Sequence, residues 1–171
     1  MWKTLTVAAE PVLARLSEEH ELSAALIGYV SDRITVLAKE AHQDNVMLRK
    51  VGEEKSDFLL SPWGFVYLAE LPDSECASFL RGVRGEHEKQ YKLPSGREVK
   101  RTIAFVREHG YADDRGAVLS RKVRRVAAPI RIGDGRLIGA LAVASFAPQL
   151  DDRRAKRRTC PPCSSNERTH Q

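Results

Sequence analysis

The stretch VRRVAAPIRIGDGRLIGALAVAS, Val123–Ser145, predicts a β-hairpin, because two apolar runs flank a Gly-Asp-Gly turn. Side chains alternate between the two faces of a strand, so Ala140, Ala142 and Ala144 share one face of the second strand. Arg125 stands in the first strand, where a buried strand would be apolar. The hairpin therefore predicts a sheet face with little side-chain bulk and a cation beside it.

The rest of the chain alternates helical and strand patterns, and the strands come in consecutive runs. Such an order predicts an α+β fold with an antiparallel sheet. The expected elements are a helix over 3–20 interrupted at Pro11, a hairpin of Glu21–Val30 and Arg33–Ala41 around 31–32, a third strand over Asn45–Val51, a polar loop over 53–57, a helix capped by Ser61 and started by Pro62, a second helix capped by Asp73 or Ser74, a loop over 83–95, and a helix over 95–109 stopped by Gly110.

Composition places the chain among soluble globular proteins, with 42% apolar and 30% charged residues. No apolar run reaches the roughly 20 residues that span a bilayer, and the start has no secretory cleavage pattern. Three cysteines, an odd number, do not suggest a disulfide framework. We therefore expect a cytoplasmic protein that does not bind membranes.

The net charge of +5 is concentrated near the end of the chain. Residues 151–171 hold six Lys and Arg against three Asp and Glu, and they show no apolar periodicity. We expect this basic segment to be a disordered tail following a single domain over residues 1–150. The domain itself is not basic enough to indicate nucleic-acid binding.

Three motifs together resemble one family of bacterial proteins. SPWGFVYLAELPDSE (Ser61–Glu75), IAFVREHGYADD (Ile103–Asp114) and VAAPIRIGDGRLIGALAVAS (Val126–Ser145) are similar to segments of the effector-binding domain of IclR-type (isocitrate lyase regulator) transcription factors. AAEPVLARLSEEHELSAAL (Ala8–Leu26) is similar to that domain's opening helix and first strand. The resemblance covers about residues 5–150 in the family's order.

This resemblance implies a GAF-like fold, an antiparallel sheet with helices on both faces and a pocket for a small organic or aromatic acid. It also implies assembly as a homodimer or homotetramer, and DNA binding only through a separate winged helix-turn-helix that precedes such a domain. The chain begins at the linker helix and lacks the family's closing helix, so we expect an isolated effector domain, a truncated regulator or a frameshifted fragment. No cofactor is implied.

The resemblance also suggests where a ligand carboxylate would bind. In the family, backbone amides just before the helix glycine hold it, and these positions fall on the Ser61-Pro62-Trp63 segment ahead of Gly64. Proline has no N–H, so one donor is lost, whereas Trp63 offers a ring and an indole N–H. Alternatively, Pro62 only starts the helix and Trp63 packs in the core.

The remaining implied positions have changed together. The family's acidic pocket residue falls on Asp113 or Asp114, its small polar residue on Arg125, and its two hydroxyls on Ala142 and Ala144. A partly buried guanidinium needs an anion, so we expect a carboxylate effector at Arg125 with an apolar body over the alanines. Two alternatives stay open. One of the aspartates neutralises Arg125, or Arg125 extends to the surface and the alanines pack under a helix.

Other candidates are weaker. CPPC (Cys160–Cys163) has the spacing of half a zinc site, but a structural zinc needs four ligands, so we expect no metal. Cys76 is expected to be a small, partly buried residue. No nucleophile, base or acid pair in a defensible arrangement indicates catalysis, so we expect a binding domain and not an enzyme. The alternatives are an oligomerisation module without a working pocket and a GAF-like enzyme.

Overall fold

The computed structural model describes residues 2–30, 33–42, 50–87, 92–114 and 123–146, and only the backbone of 84–87. Its strands form one antiparallel sheet in the order β3-β2-β1-β6-β5-β4, which confirms the predicted α+β fold. The elements are α1 (Trp2–His20), β1 (Ser23–Val30), β2 (Arg33–Glu40), β3 (Glu54–Lys55), α2 (Pro62–Glu70), α3 (Asp73–His87), α4 (Gly96–His109), β4 (Ala112–Asp113), β5 (Val123–Arg131) and β6 (Leu137–Phe146).

The predicted hairpin of β5 and β6 lies inside the sheet, between β1 and β4. Its register places Arg125 opposite Ala144 and Ala127 opposite Ala142. The turn is closed by a hydrogen bond of 3.1 Å from the Ile132 N–H to the Arg136 carbonyl. The small residues of the two strands therefore lie side by side on one face.

The helices cover both faces of the sheet, as expected. α1 lies on β1 and β2, where Leu13 is buried among side chains such as Leu26. The opposite face carries Ala140 and Ala142, and α2 packs on it against β5 and β6. α4 packs on α2 in turn, so α2 is nearly completely buried.

α2 begins as the sequence predicts. Ser61 is its N-cap and accepts a hydrogen bond of 3.2 Å from the Gly64 N–H, while Pro62 takes the first helical position. A Cβ on Gly64 would lie 2.1 Å from the carbonyl oxygen of Phe58. Glycine is therefore required here by the close approach of the preceding backbone.

Two predicted boundaries are wrong. β3 falls within the expected loop over 53–57, because this two-residue edge strand pairs through its backbone with β2 and shows no apolar alternation. α3 runs to His87, so the start of the expected loop over 83–95 is helical. Cys76 and Val83 are the buried positions of a helical stripe in this segment.

Several further expectations are corrected by the structure or lie outside the residues that it describes. Asp73 is the first residue of α3 and not its cap, and α1 continues through Pro11. The expected strand over Asn45–Val51 lies mostly outside the described residues, and its last residue, Val51, is in a turn. The 31–32 turn and the tail of residues 151–171, with Cys160–Cys163, lie outside them as well.

Candidate effector site

Arg125 is buried on the face of the sheet that α2 covers. It shares this face with Ala142 and Ala144 of β6, which are fully buried. Arg125 itself is only 8% exposed, so it does not extend to the surface. A guanidinium in this position must find its hydrogen-bond acceptors inside the protein.

Asp114, the residue after β4, supplies one of them. Its Oδ2 lies 2.5 Å from the Arg125 Nε, and its Oδ1 accepts a hydrogen bond of 2.9 Å from the Arg125 backbone N–H. The two side chains are 9% and 6% exposed. Of the two aspartates that the sequence offers, Asp114 is therefore the one that neutralises Arg125.

Asp113 belongs to a second ion pair. Its two carboxylate oxygens accept hydrogen bonds from the Nε and Nη2 of Arg124, at 3.1 and 2.5 Å. Adjacent residues of a strand point to opposite faces, so this pair lies on the face away from α2. Side-chain exposures of 5% for Arg124 and 3% for Asp113 show that this pair is also buried.

The remaining contacts of Arg125 reach the start of α2. Its Nη2 donates a hydrogen bond of 2.9 Å to the Leu60 carbonyl, and its guanidinium carbon lies 5.3 Å from the centre of the Trp63 ring. This is the geometry of a cation–π contact. Within the described part of the chain, the Nη1 group has no hydrogen-bond partner.

The indole N–H of Trp63 is a second donor that has no hydrogen-bond partner among the described residues. Trp63 is 4% exposed, and its Nε1 has no hydrogen-bond partner among the described residues. A buried donor without a partner costs about 1–3 kcal/mol. Since the Trp63 ring also stacks with Arg125, two donors without partners belong to neighbouring side chains, and one of them is cationic.

The start of α2 is fixed from several sides. Ser61 is buried, and its hydroxyl donates to the Asp57 carbonyl at 3.4 Å as well as capping the helix. Pro62 is buried and brings no N–H. Tyr29 donates a hydrogen bond of 2.6 Å to the Trp63 carbonyl, and burial raises the pKa of this phenol well above its ordinary value. Trp63 is therefore held by its backbone as well as its ring.

The described residues offer little reactive chemistry. Burial raises the pKa of the Cys76 thiol, which keeps it protonated and weakly nucleophilic. No three His, Cys, Asp or Glu side chains among the described residues are placed to hold a metal ion. Among the helices described, none is long and apolar enough to cross a membrane.

Sequence reasoning identified Arg125, Asp114 and Trp63, and the structure brings these three side chains together. It separates Asp113 from them and covers Ala142 and Ala144 completely. The partnership of Arg124 with Asp113 was not predicted. The sequence did contain a signal for this second pair. Two adjacent arginines and two adjacent aspartates on neighbouring strands place one arginine and one aspartate on each face of the sheet.

Comparison with known proteins agrees with this fold. The family described as "Bacterial transcriptional regulator IclR C-terminal" matches residues 3–160. The C-terminal domain of a Vibrio cholerae transcriptional regulator is 23% identical, with a TM-score of 0.70, and the match covers 87% of this chain and 86% of that one. The C-terminal domain of Escherichia coli KdgR is 21% identical, with a TM-score of 0.71 and coverages of 90% and 88%.

A longer relative shows how much of a whole regulator the chain corresponds to. Thermotoga maritima IclR is 18% identical with a TM-score of 0.71, and the match covers 86% of this chain but 61% of that protein. These structural likenesses show the fold. No curated protein sequence matches the chain.

Proposed function

The chain belongs to the IclR-type bacterial transcriptional regulators, as their C-terminal domain, and we propose that it senses a small organic acid beside Arg125 and Trp63. The observation that carries the proposal is the pair of unfilled donors, the Trp63 indole N–H and the Arg125 Nη1 group. A carboxylate has two oxygens and accepts from both.

Arg125 can serve two carboxylates at once. Its guanidinium carries five N–H donors in a planar fork, and Asp114 uses only the Nε side of it. A ligand carboxylate would take the Nη1 group while Asp114 keeps its place. The second negative charge limits the affinity, since the two carboxylates repel each other across the guanidinium.

The apolar body of the ligand would lie over Ala142 and Ala144, where methyl groups form the floor. Both alanines are fully buried, so the body reaches them only when the side chains packed over them rotate away. Binding would therefore be accompanied by a movement at the start of α2. Through this movement, the binding of an effector would change the conformation of the rest of a regulator.

In the whole regulator, we propose that the domain also mediates assembly into a homodimer or homotetramer. DNA binding would belong to a winged helix-turn-helix outside this domain, in the bacterial cytoplasm where operators are found. The family is one of regulators, which favours a binding role over catalysis. Sedimentation of the purified chain would measure the assembly.

A module without a working ligand site is the second candidate. The Arg125–Asp114 pair favours it, because Asp114 already satisfies the charge of Arg125 without any ligand. The two candidates differ in one respect that can be measured, which is whether any carboxylate binds.

Calorimetry with a panel of aliphatic and aromatic carboxylic acids separates them. We expect at least one acid to bind, and Trp63→Phe to weaken that binding about tenfold, since one hydrogen bond is worth about 1 kcal/mol or somewhat more. The Trp2→Phe variant is the control and should bind as the unmodified chain does. Equal affinity in the Trp63→Phe variant would show that the acid binds without Trp63 and would contradict this site. No binding by any acid would favour the module without a ligand site.

A further inference from the structure

One half of the sheet is open on the side that carries α1. Among the described elements, α1 packs on β1 and β2, and no helix packs on β5 and β6 from this side. On the opposite side, under α2, the same two strands place alanines that are buried, such as Ala127 and Ala140. Five neighbouring side chains on the open side are apolar and remain exposed or half-buried, namely Val126, Ala128, Ile130, Leu141 and Val143.

The edge of α1 beside these five residues is apolar as well. Leu5, Ala9, Val12 and Leu16 recur at alternating intervals of four and three residues, so they form one stripe along the helix. Leu5, Ala9 and Leu16 pack against the same apolar cluster as Leu141, and Val12 is 40% exposed. The stripe forms the wall and the five strand residues form the floor of a groove, which we call the α1 groove.

The chain that follows β6 is poorly suited to fill the α1 groove. β6 ends at Phe146, and residues 147–171 come after it. Leu150 is the single large apolar residue in that segment, which also carries six Lys and Arg. An apolar floor is covered by apolar side chains, because burying unpaired charges against it is costly. The groove therefore favours an occupant other than this segment.

The solvent side of α1 has the surface that such an occupant needs. Val7 is 61% exposed, and Ala8 and Pro11 are exposed beside it. The one charged residue between positions 7 and 12 is Glu10, and a helix places it on the edge away from Val12. The middle of α1 therefore presents an uncharged apolar surface to solvent, which matches the polarity of the groove floor.

We propose that the α1 groove is the docking surface for α1 of a second copy of this chain, and that the two copies fill each other's grooves. This inference rests on the proposed assembly of the domain and assigns a surface to it. The two helices lie side by side between the two sheets, and the solvent side of each packs on the floor of the other. A two-fold axis along the helices relates the copies, so each stripe residue meets its own counterpart and the contacts close in a dimer.

Cysteine cross-linking tests this geometry. The background chain carries Cys160→Ser and Cys163→Ser, which leaves the buried Cys76. In this background, Val12→Cys should give a disulfide-linked dimer under mild oxidation, because the two Val12 positions face each other across the axis. Glu10→Cys is the matched control on the other edge of the same helix, and it should stay monomeric on a non-reducing gel. Equal cross-linking of both variants, or none in Val12→Cys, would overturn the pairing.

Sedimentation equilibrium measures the association itself. Val12→Glu should raise the dissociation constant of the dimer about a hundredfold or more, because a carboxylate would be buried in an apolar groove without a partner. Val51→Glu is the matched control, since Val51 is also exposed but lies in the turn before β3, at the far edge of the sheet. This control should leave the dissociation constant within about twofold of the unmodified chain. Circular dichroism checks that both variants keep their helices.

The same measurement separates this surface from the rest of the proposed function. A dimer that Val12→Glu leaves intact would overturn the α1 groove, while the proposed assembly would stand. A chain that stays monomeric at every concentration would overturn both. Binding of an acid beside Arg125 is measured by calorimetry on its own, so neither outcome decides it.

Discussion

Arg125 is tolerated in the interior because its charge is met on the neighbouring strand. Asp114 provides a carboxylate that is itself almost fully buried, and the Leu60 carbonyl and the Trp63 ring complete the surroundings. Removing one partner of a buried pair leaves the other charge without compensation. The pair therefore stabilises the fold and is also part of the candidate site.

We predict that Asp114→Asn lowers the free energy of unfolding by about 3 kcal/mol, the lower end of the range for breaking a buried pair. Urea denaturation measures it. Asp134→Asn is the matched control, because Asp134 lies 3.6 Å from Arg136 in a pair whose side chains are more than half exposed. Its loss should stay below about 1 kcal/mol. Equal losses would contradict the role given to the buried pair.

Gly64 is the second residue on which the site depends. We predict that Gly64→Ala costs about 3 kcal/mol, the upper end of the overpacking range, because the new methyl group meets the backbone of Phe58 and not a movable side chain. In Gly82→Ala the methyl group meets nothing within 4 Å, so this change in α3 should stabilise by about 0.5–1 kcal/mol. Thermal melting of the two variants checks both signs.

At the level of single residues, the sequence predicted which side chains meet but not how they are satisfied. Arg125 was identifiable as an arginine that needs an anion. Whether Asp113 or Asp114 supplied it depended on the register of a two-residue strand, and shifting that register by one residue exchanges the two faces. A pattern of two adjacent aspartates contains no information on this point.

Among the elements, α4 and the end of α2 are joined by one arginine. Arg107 donates from Nε to the Ala69 carbonyl at 3.0 Å and from Nη2 to the Leu71 carbonyl at 2.8 Å. The last carbonyls of a helix have no partner within the helix, so a guanidinium can satisfy them. Its Nη1 also reaches Asp73 at the start of α3, at 2.8 Å.

We predict that Arg107→Ala lowers the free energy of unfolding by about 1–2 kcal/mol, through the loss of the two carbonyl contacts. Asp73→Ala should cost less than about 1 kcal/mol, because the Asp73 side chain is 89% exposed. Arg97→Ala, on the exposed side of the same helix, is the control for lost charge. If Asp73→Ala were as costly as Arg107→Ala, the ion pair and not the carbonyl contacts would hold the junction.

Helices with strong local signals were predictable, and elements made by pairing were not. The cap at Ser61 and the glycine stop at Gly110, whose φ is 74°, are encoded by neighbouring residues. β3 exists because β2 offers it backbone partners, which no local pattern reveals. The sequence predicts a shorter α3 because the buried positions of this helix, such as Val83, are spaced among polar residues.

For the whole molecule, the family, the sheet and the placement of helices on both faces agree with the sequence. At this scale we propose that the chain is a sensor whose ligand binds at the donors of Trp63 and Arg125. The chain has only two tryptophans, Trp2 and Trp63, so an NMR spectrum of the indole N–H groups contains two signals from them. The Trp2→Phe variant assigns the pair.

The most direct measurement is a titration of those two indole signals with the panel of carboxylic acids. We predict that at least one acid shifts the Trp63 signal downfield in a saturable way, as its carboxylate accepts the N–H, while the Trp2 signal stays in place. The shift should be lost in Arg125→Gln, provided that variant remains folded as judged by its Trp2 signal. A Trp63 signal that no acid moves, while the acids bind elsewhere or not at all, would contradict the claim.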